Sequence, residues 1–204
     1  MEKQFKVHCS QIHKIMGAGK GGNLSQTCQT FLKEWYANDQ EQIHSKYLDK
    51  GNYVEEDNID FAARVLGYGL LEKNTESRSD DYFIGCCDVN TDVIIDVKSP
   101  WNRKTFLDSI EELDPNYEWQ LRGYMRLYNK PKSILFYGLQ NTPPEVNYEN
   151  EMVFDHLPEE ERWFAFEVLR DESIEALIIE RVIKCRGWLE EWDNKLKTKL
   201  GRVN

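Results

Sequence analysis

No apolar run in the 204-residue chain approaches the ~18 residues of a membrane-spanning helix, which excludes a helical membrane protein. The first residues, Met1-Glu2-Lys3-Gln4-Phe5-Lys6-Val7-His8, lack the apolar stretch of a secretory signal, so a cytoplasmic protein with no membrane partner is expected. Cysteine is scarce. Cys9, Cys28, Cys86, Cys87 and Cys185 form an odd set with no CxxC pair, and free thiols in a reducing compartment are expected rather than a zinc or iron–sulfur site. On a strand, the adjacent Cys86 and Cys87 would point to opposite faces. Positive charge is also short: 26 Lys and Arg stand against 36 Asp and Glu, a formal net charge of −10. That balance argues against a nucleic-acid partner, whose phosphates need lysine and arginine. It does not exclude a local basic track, and carboxylates gathered around a cation would themselves raise the acidic count. The glycine-rich stretch Gly17-Ala18-Gly19-Lys20-Gly21-Gly22 lacks the Walker spacing of a phosphate loop and reads as a flexible surface loop. Repeats, low-complexity tracts and an interdomain linker are missing as well. One domain over residues 1–204 is expected, of a size that buries an adequate core. Its parts would be an N-terminal helical region (about 1–75), a sheet-and-helix centre (about 80–140) and C-terminal helices (about 158–200).

What is present is ordered by its periodicities. Ser10 is placed to cap a short helix through Met16, stopped by Gly17. Residues 23–47 read as a polar helix and 51–66 as another. Tyr82 to Lys98 reads as two strands around a turn at Asn90-Thr91-Asp92, ended by Ser99-Pro100 because proline donates no ladder hydrogen bond. Asp114-Pro115-Asn116 leads into a helix from about Tyr117 to Tyr128, closed by Lys130-Pro131, and Ser133 to Leu139 is a third strand. Pro158 to Leu200 reads as helical with an interruption near Asp171. Pro158 followed by Glu159-Glu160-Glu161 suits a helix start, with acids at the positive end of the dipole. Trp188, Leu189, Trp192 and Leu196 recur at helical spacing and suit packing on the core or on another subunit. The order fits an α/β (α+β) domain, a central mixed β-sheet flanked by helices.

Chemistry concentrates between Gly85 and Lys98. In the second strand Val93, Ile95 and Val97 share one face, and Ile94, Asp96 and Lys98 share the other. The hairpin returns Asp88 near Asp96, so two carboxylates and an ammonium meet in a small space. Two carboxylates ~5 Å apart repel by roughly 3 kcal/mol at an effective dielectric near 20, and a divalent cation between them removes the repulsion. Mg²⁺ takes one or two carboxylates together with waters and phosphate oxygens. It polarises a phosphodiester and lowers the pKa of a bound water, while a neighbouring lysine orients that water and stabilises developing charge. The same three residues also fit a half-buried strand with one solvated face, so they decide nothing alone. Glu55 adds weight. It falls on the apolar stripe of Ile59, Ala62 and Leu66, where a carboxylate needs a partner, either a metal or a lysine. Asn58 lies within the same arc. Gln120 and Tyr124 sit one turn apart on their helix, which by itself is an amphipathic helix with one polar residue.

Taken in order, four segments resemble the PD-(D/E)XK nuclease superfamily, and within it the lambda exonuclease/YqaJ-like viral recombinase family. They are Cys9-Ser10-Gln11-Ile12-His13-Lys14-Ile15-Met16, Gly51-Asn52-Tyr53-Val54-Glu55, Asp88 with Asp96-Val97-Lys98, and the helix Tyr117 to Met125. The resemblance implies a restriction-endonuclease-like core with C-terminal helices. It implies Asp88 and Asp96 as metal ligands, Glu55 supporting the metal or its water, Lys98 as catalytic lysine and Gln120 lining the site. Ser10, with Tyr124, would contact DNA. One or two Mg²⁺ or Mn²⁺ ions would be the cofactor. The implied activity is 5′ to 3′ exonuclease action on linear duplex DNA ends in phage-type recombination. A single-strand annealing protein would be the partner and a homotrimer the assembly. A structure-specific or nicking endonuclease and a non-catalytic DNA-binding relative remain as alternatives. The chain departs from the family pattern in places. Cys86-Cys87 precede Asp88 where many relatives carry Ser-Pro or Thr-Pro, Asp96 stands where Glu is common, and the second glutamine of the helix is replaced, with Arg122-Gly123 nearby. The basic residue that reads a 5′-phosphate has no clear match; Lys3 and Lys6 are the candidates.

Overall fold

The computed structural model describes residues 4–38, 45–148 and 150–201. In chain order the strands are β1 (Val7–His8), β2 (Arg78–Ser79), β3 (Phe83–Gly85), β4 (Val89–Asn90), β5 (Ile94–Lys98), β6 (Lys132–Gly138) and β7 (Trp163–Leu169). The α-helices are α1 (Ile12–Met16), α2 (Gln26–Ala37), α3 (Lys46–Tyr53), α4 (Glu55–Val65), α5 (Arg103–Asp108), α6 (Pro115–Tyr128) and α7 (Glu172–Lys199). The expected α/β fold is present, with the strands divided between two sheets, β1-β3-β2 and β4-β5-β6-β7. The division falls at Cys86-Cys87-Asp88, where the chain leaves strand geometry between β3 and β4.

The larger sheet is built on β5. It pairs antiparallel with β4 and parallel with β6, with Asp96 opposite Leu135 and Lys98 opposite Tyr137. A parallel pair needs a long crossover, here α5 and α6. Helix α4 covers one face: Ile59, Phe61 and Ala62 pack with Val89, Ile95, Val97 and Phe136. Helix α6 covers the other: Leu121 and Met125 pack with Leu135 and Tyr137. Both faces of β5 are therefore covered, and Ile94, Ile95 and Asp96 are wholly buried. The reading of a solvated strand face does not hold. A third cluster joins Phe5, Val7, Ile12, Ile15 and Leu32 to Phe83, Tyr124, Ile178, Val182 and Leu189 beneath α7.

Several local expectations are corrected. Ser10 caps nothing; it lies in a 3-10 turn, Cys9–Gln11, ahead of α1. The expected helix over 23–47 is α2 and the start of α3, and residues 39–44 lie outside the described part. The expected helix over 51–66 is broken at Val54 (φ −104°, ψ 11°) into α3 and α4. Glu55 thus opens α4, where the helix dipole favours a carboxylate. Residues 163–169 are a strand, not a helix. Pro158 and its glutamates hold only a 3-10 turn, Glu159–Glu161. Beyond it Trp163, Phe164, Phe166 and Val168 favour the extended state and find a seven-residue register on β6. The Phe164 ring stacks on Tyr137, with centroids 4.7 Å apart. Asp171, expected as an interruption, is the cap of α7, accepting from the Ser173 and Ile174 amides. No helix among the described residues is long and apolar enough to cross a membrane.

Candidate active site

Beyond the C-terminal ends of the parallel strands β5 and β6 lies an open cleft of about 960 Å³. Such crevices are where open α/β sheets receive ligands. Its lining includes Ser10, Glu55, Asp88, Lys98, Tyr117 and Gln120. At its floor stands Asp96, fully buried on β5. Its Oδ1 accepts from Gln120 Nε2 at 3.1 Å, and its Oδ2 meets the Lys98 ammonium. The same Gln120 nitrogen lies 3.2 Å from the Tyr124 hydroxyl. Lys98 also sits over the Tyr117 ring, 4.7 Å from its centroid, in a cation–π contact. Burial opposes charge on Lys98, yet the carboxylates of Asp96 and Asp88 outweigh it and hold its pKa above the usual lysine value.

Asp88 approaches from the turn before β4. Its Oδ2 accepts from the Val97 amide at 2.8 Å, which ties the two acidic segments together across the hairpin. Burial, and then the charge of Asp96, push its pKa from 3.8 up to about 7, against the pull of Lys98 and the Val97 amide. Glu55 reaches the cleft from the start of α4 and is held at its edge by Lys73, 2.5 Å from Oε2. Lys73 is carried there by a backbone bond from the Asn74 amide to the Asp88 carbonyl, 2.7 Å.

The sequence matches no protein-family model and no curated protein. Solved structures do match. A phage-related exonuclease from Haemophilus somnus 129PT superposes with a TM-score of 0.82 at 24% identity, over 95% of this chain and 97% of that one. An alkaline exonuclease from Laribacter hongkongensis, also solved in complex with dAMP, superposes with a TM-score of 0.71 at 18% identity, over 98% of this chain and 95% of that one. This chain has the exonuclease fold of those two proteins. In this chain Asp88, Lys98 and Gln120 line one cleft, and Asp96 is buried beneath it against Lys98 and Gln120.

The donor chemistry suits a divalent cation in part. Asp96 is a buried carboxylate and Asp88 a partly buried one beside it, whose pKa is raised by burial and by the Asp96 charge, which is the situation a hard cation relieves. Among the described residues, no three His, Cys, Asp or Glu side chains are already gathered around one point. Glu55 would join the two aspartates by leaving Lys73.

Other expected residues fall differently. Ser10 is exposed and lines the cleft. Tyr124 does not face DNA. It is only 5% exposed, packs in the core and turns its hydroxyl to Gln120, so its place is behind the site. Lys6 donates to Ser79 on the exposed surface, and Lys3 lies outside the described residues. Three residues of the neighbourhood escaped the sequence reading: Lys73, Tyr117 and Lys50. Tyr117 stands one turn before Gln120, a spacing that could have found it. Lys73 and Lys50 act through contacts distant in sequence and leave no periodic trace.

Proposed function

We propose that this cleft hydrolyses phosphodiester bonds of DNA with the help of Mg²⁺ or Mn²⁺. The observation that carries the reading is the pair of Asp88, which lines an open cleft, and buried Asp96 beneath it, with the Lys98 ammonium against Asp96. Asp88 and Asp96 would hold one or two cations, with Glu55 completing the set. A cation so held would supply Lewis-acid activation of the phosphate and of a water. Lys98 stabilises charge that develops on the phosphate and orients the attacking water. Gln120 keeps Asp96 in one rotamer, and Ser10 offers a hydroxyl to a flanking phosphate. Tyr117 steadies the Lys98 ammonium through the cation–π contact of its ring.

The two similar structures are exonucleases, and one was solved with a deoxynucleoside monophosphate, the product class of an enzyme that removes single nucleotides from DNA. Together with the family resemblance, this favours linear duplex DNA ends as substrate, 5′ to 3′ polarity and a role in phage-type recombination. It also favours a homotrimeric assembly and a single-strand annealing protein as partner. The test is cleavage of linear, nicked and closed-circular duplex DNA, labelled at either strand end, with Mg²⁺, Mn²⁺ or EDTA. The expected result is release of nucleotides from linear DNA only, from the 5′ end, and none in EDTA. Undiminished cleavage in EDTA would remove the cation from the mechanism, and cutting of closed circles would make the protein an endonuclease.

A further inference from the structure

Behind the wall of the cleft, a lysine is buried with, among the described residues, no carboxylate paired to its ammonium. Lys50, in the last turn of α3, has no exposed surface. Its Nζ lies 2.6 Å from the Pro100 carbonyl, 3.1 Å from that of Trp101 and 2.8 Å from that of Gln140. These carbonyls belong to two different segments, the one that leaves β5 and the one that leaves β6. The ring of Phe154 closes the site, 5.6 Å from the nitrogen. Burial lowers the pKa of the amine to about 7, while three carbonyl acceptors favour the ammonium, the only form with a donor for each. The hydroxyl of Thr142, also wholly buried, donates to the Trp101 carbonyl at 2.9 Å.

A second buried polar group works beside it. Asn58, on α4 one turn after Glu55, donates through Nδ2 to the Lys98 carbonyl at 3.0 Å and to Ser99 Oγ at 2.9 Å. Its Oδ1 lies 1.9 Å from where a Cβ on residue 138 would stand, so the end of β6 must be glycine for Asn58 to fit. Between them, Lys50 and Asn58 bind four consecutive residues, 98 to 101, each of which lines the cleft. A buried charge and a buried amide are expensive unless satisfied, so their contacts hold this stretch in one place.

We infer that Lys50, with Asn58, is a positioning residue of the cleft. Its ammonium gathers the ends of β5 and β6 onto one point and so sets where Lys98 and Trp101 stand. The inference rests on the reading of the cleft as a catalytic centre. It predicts that the Lys50 cation does its work without touching substrate, and that a small cation can replace it. In Lys50→Ala the kcat for duplex hydrolysis should fall about 10- to 100-fold, the range for outer residues that orient a metal site, with KM little changed. Added n-propylammonium should restore part of kcat in Lys50→Ala. It should do nothing for wild type or for Lys50→Met, whose side chain fills the space without charge.

The second readout is amide hydrogen exchange at Lys98, Ser99 and Trp101 in the absence of DNA. Exchange should quicken in Lys50→Ala and slow again with n-propylammonium. It separates the two claims. A wild-type protein that cuts no DNA would overturn the catalytic reading, and the exchange experiment would still judge Lys50. If Lys50→Ala does not fold, Lys50→Met carries the test, with lowered kcat and faster exchange expected. Wild-type kcat and wild-type exchange in a folded variant would overturn the inference. So would a loss in folded Lys50→Ala that n-propylammonium does not reverse.

Discussion

The floor and the edge of the cleft are held in opposite ways. At the floor, Asp96 is fully buried and locked between Gln120 and Lys98, and the Tyr124 hydroxyl lies beside the Gln120 amide. At the edge, Glu55 rests on Lys73 in an ion pair with side chains 21% and 39% exposed. Removing one partner from a buried charged pair leaves the other charge stranded, which costs several kcal/mol. An exposed ion pair is worth about 1 kcal/mol or less. One acid is thus fixed by the fold, and another is free to change partners at small expense. A site that, as proposed, admits a cation and lets product leave would need both kinds.

The largest effect should come from the floor. Lys98→Ala should lower kcat by on the order of 10²–10³-fold, because it removes the ammonium opposite the developing charge. It should also lower Tm, since Asp96 is left buried without its cation. Steady-state kinetics and a thermal melt check both, and a variant with full turnover would remove Lys98 from the site. A smaller effect lies with Asp88, between floor and edge. Its pKa is about 7 when folded against 3.8 as a free side chain. Between those values the folded protein keeps a proton that the unfolded chain has lost. The stability that this proton supports is complete at low pH and declines as pH rises towards about 7. The metal-free protein should therefore lose Tm across that window relative to Asp88→Asn. The gain in Tm from added Mg²⁺ should grow over the same window, as the cation replaces the proton. Melts in EDTA and in Mg²⁺ at several pH values decide this; parallel curves for wild type and Asp88→Asn would contradict it. The smallest effect belongs to the edge. Lys73→Met should change stability by less than about 1 kcal/mol and lower the Mg²⁺ concentration needed for half-maximal activity, since Glu55 is released. A raised Mg²⁺ requirement would mean that Lys73 helps the cation rather than competes with it.

How much of this was legible in the sequence follows the same division. Strand β5 carries its own period, so Asp96 and Lys98 could be assigned to one face before any coordinates, whereas the period of α6 gave only an amphipathic helix and the place of Gln120 came from the family resemblance. The hairpin put Asp88 within reach of Asp96 by counting residues. Glu55 was found for a reason half right: it has the lysine partner its stripe demanded, at the first residue of a helix rather than inside one. Lys50 and Lys73 were illegible because their partners lie far along the chain, 50 residues for Lys50 and Pro100 and 18 for Lys73 and Glu55, while Asn58 showed its place in the arc of Glu55 but not its partners. Strand β7 was misread because local signals at Pro158 favoured a helix, while the decisive term, seven pairings to β6, is tertiary.

The last helix carries a further consequence. Helix α7 runs 28 residues, and three of its cations reach back to main-chain oxygens near the start of the chain: Arg181 to Gly17, Lys184 to Gly22 and Arg186 to Phe5. The segment that carries Ser10 is therefore clasped by residues made long after it. A chain grown only to residue 170 would own every carboxylate of the cleft and the pairing of β1 with β3 that anchors the segment before Ser10, but would lack these three clasps on it.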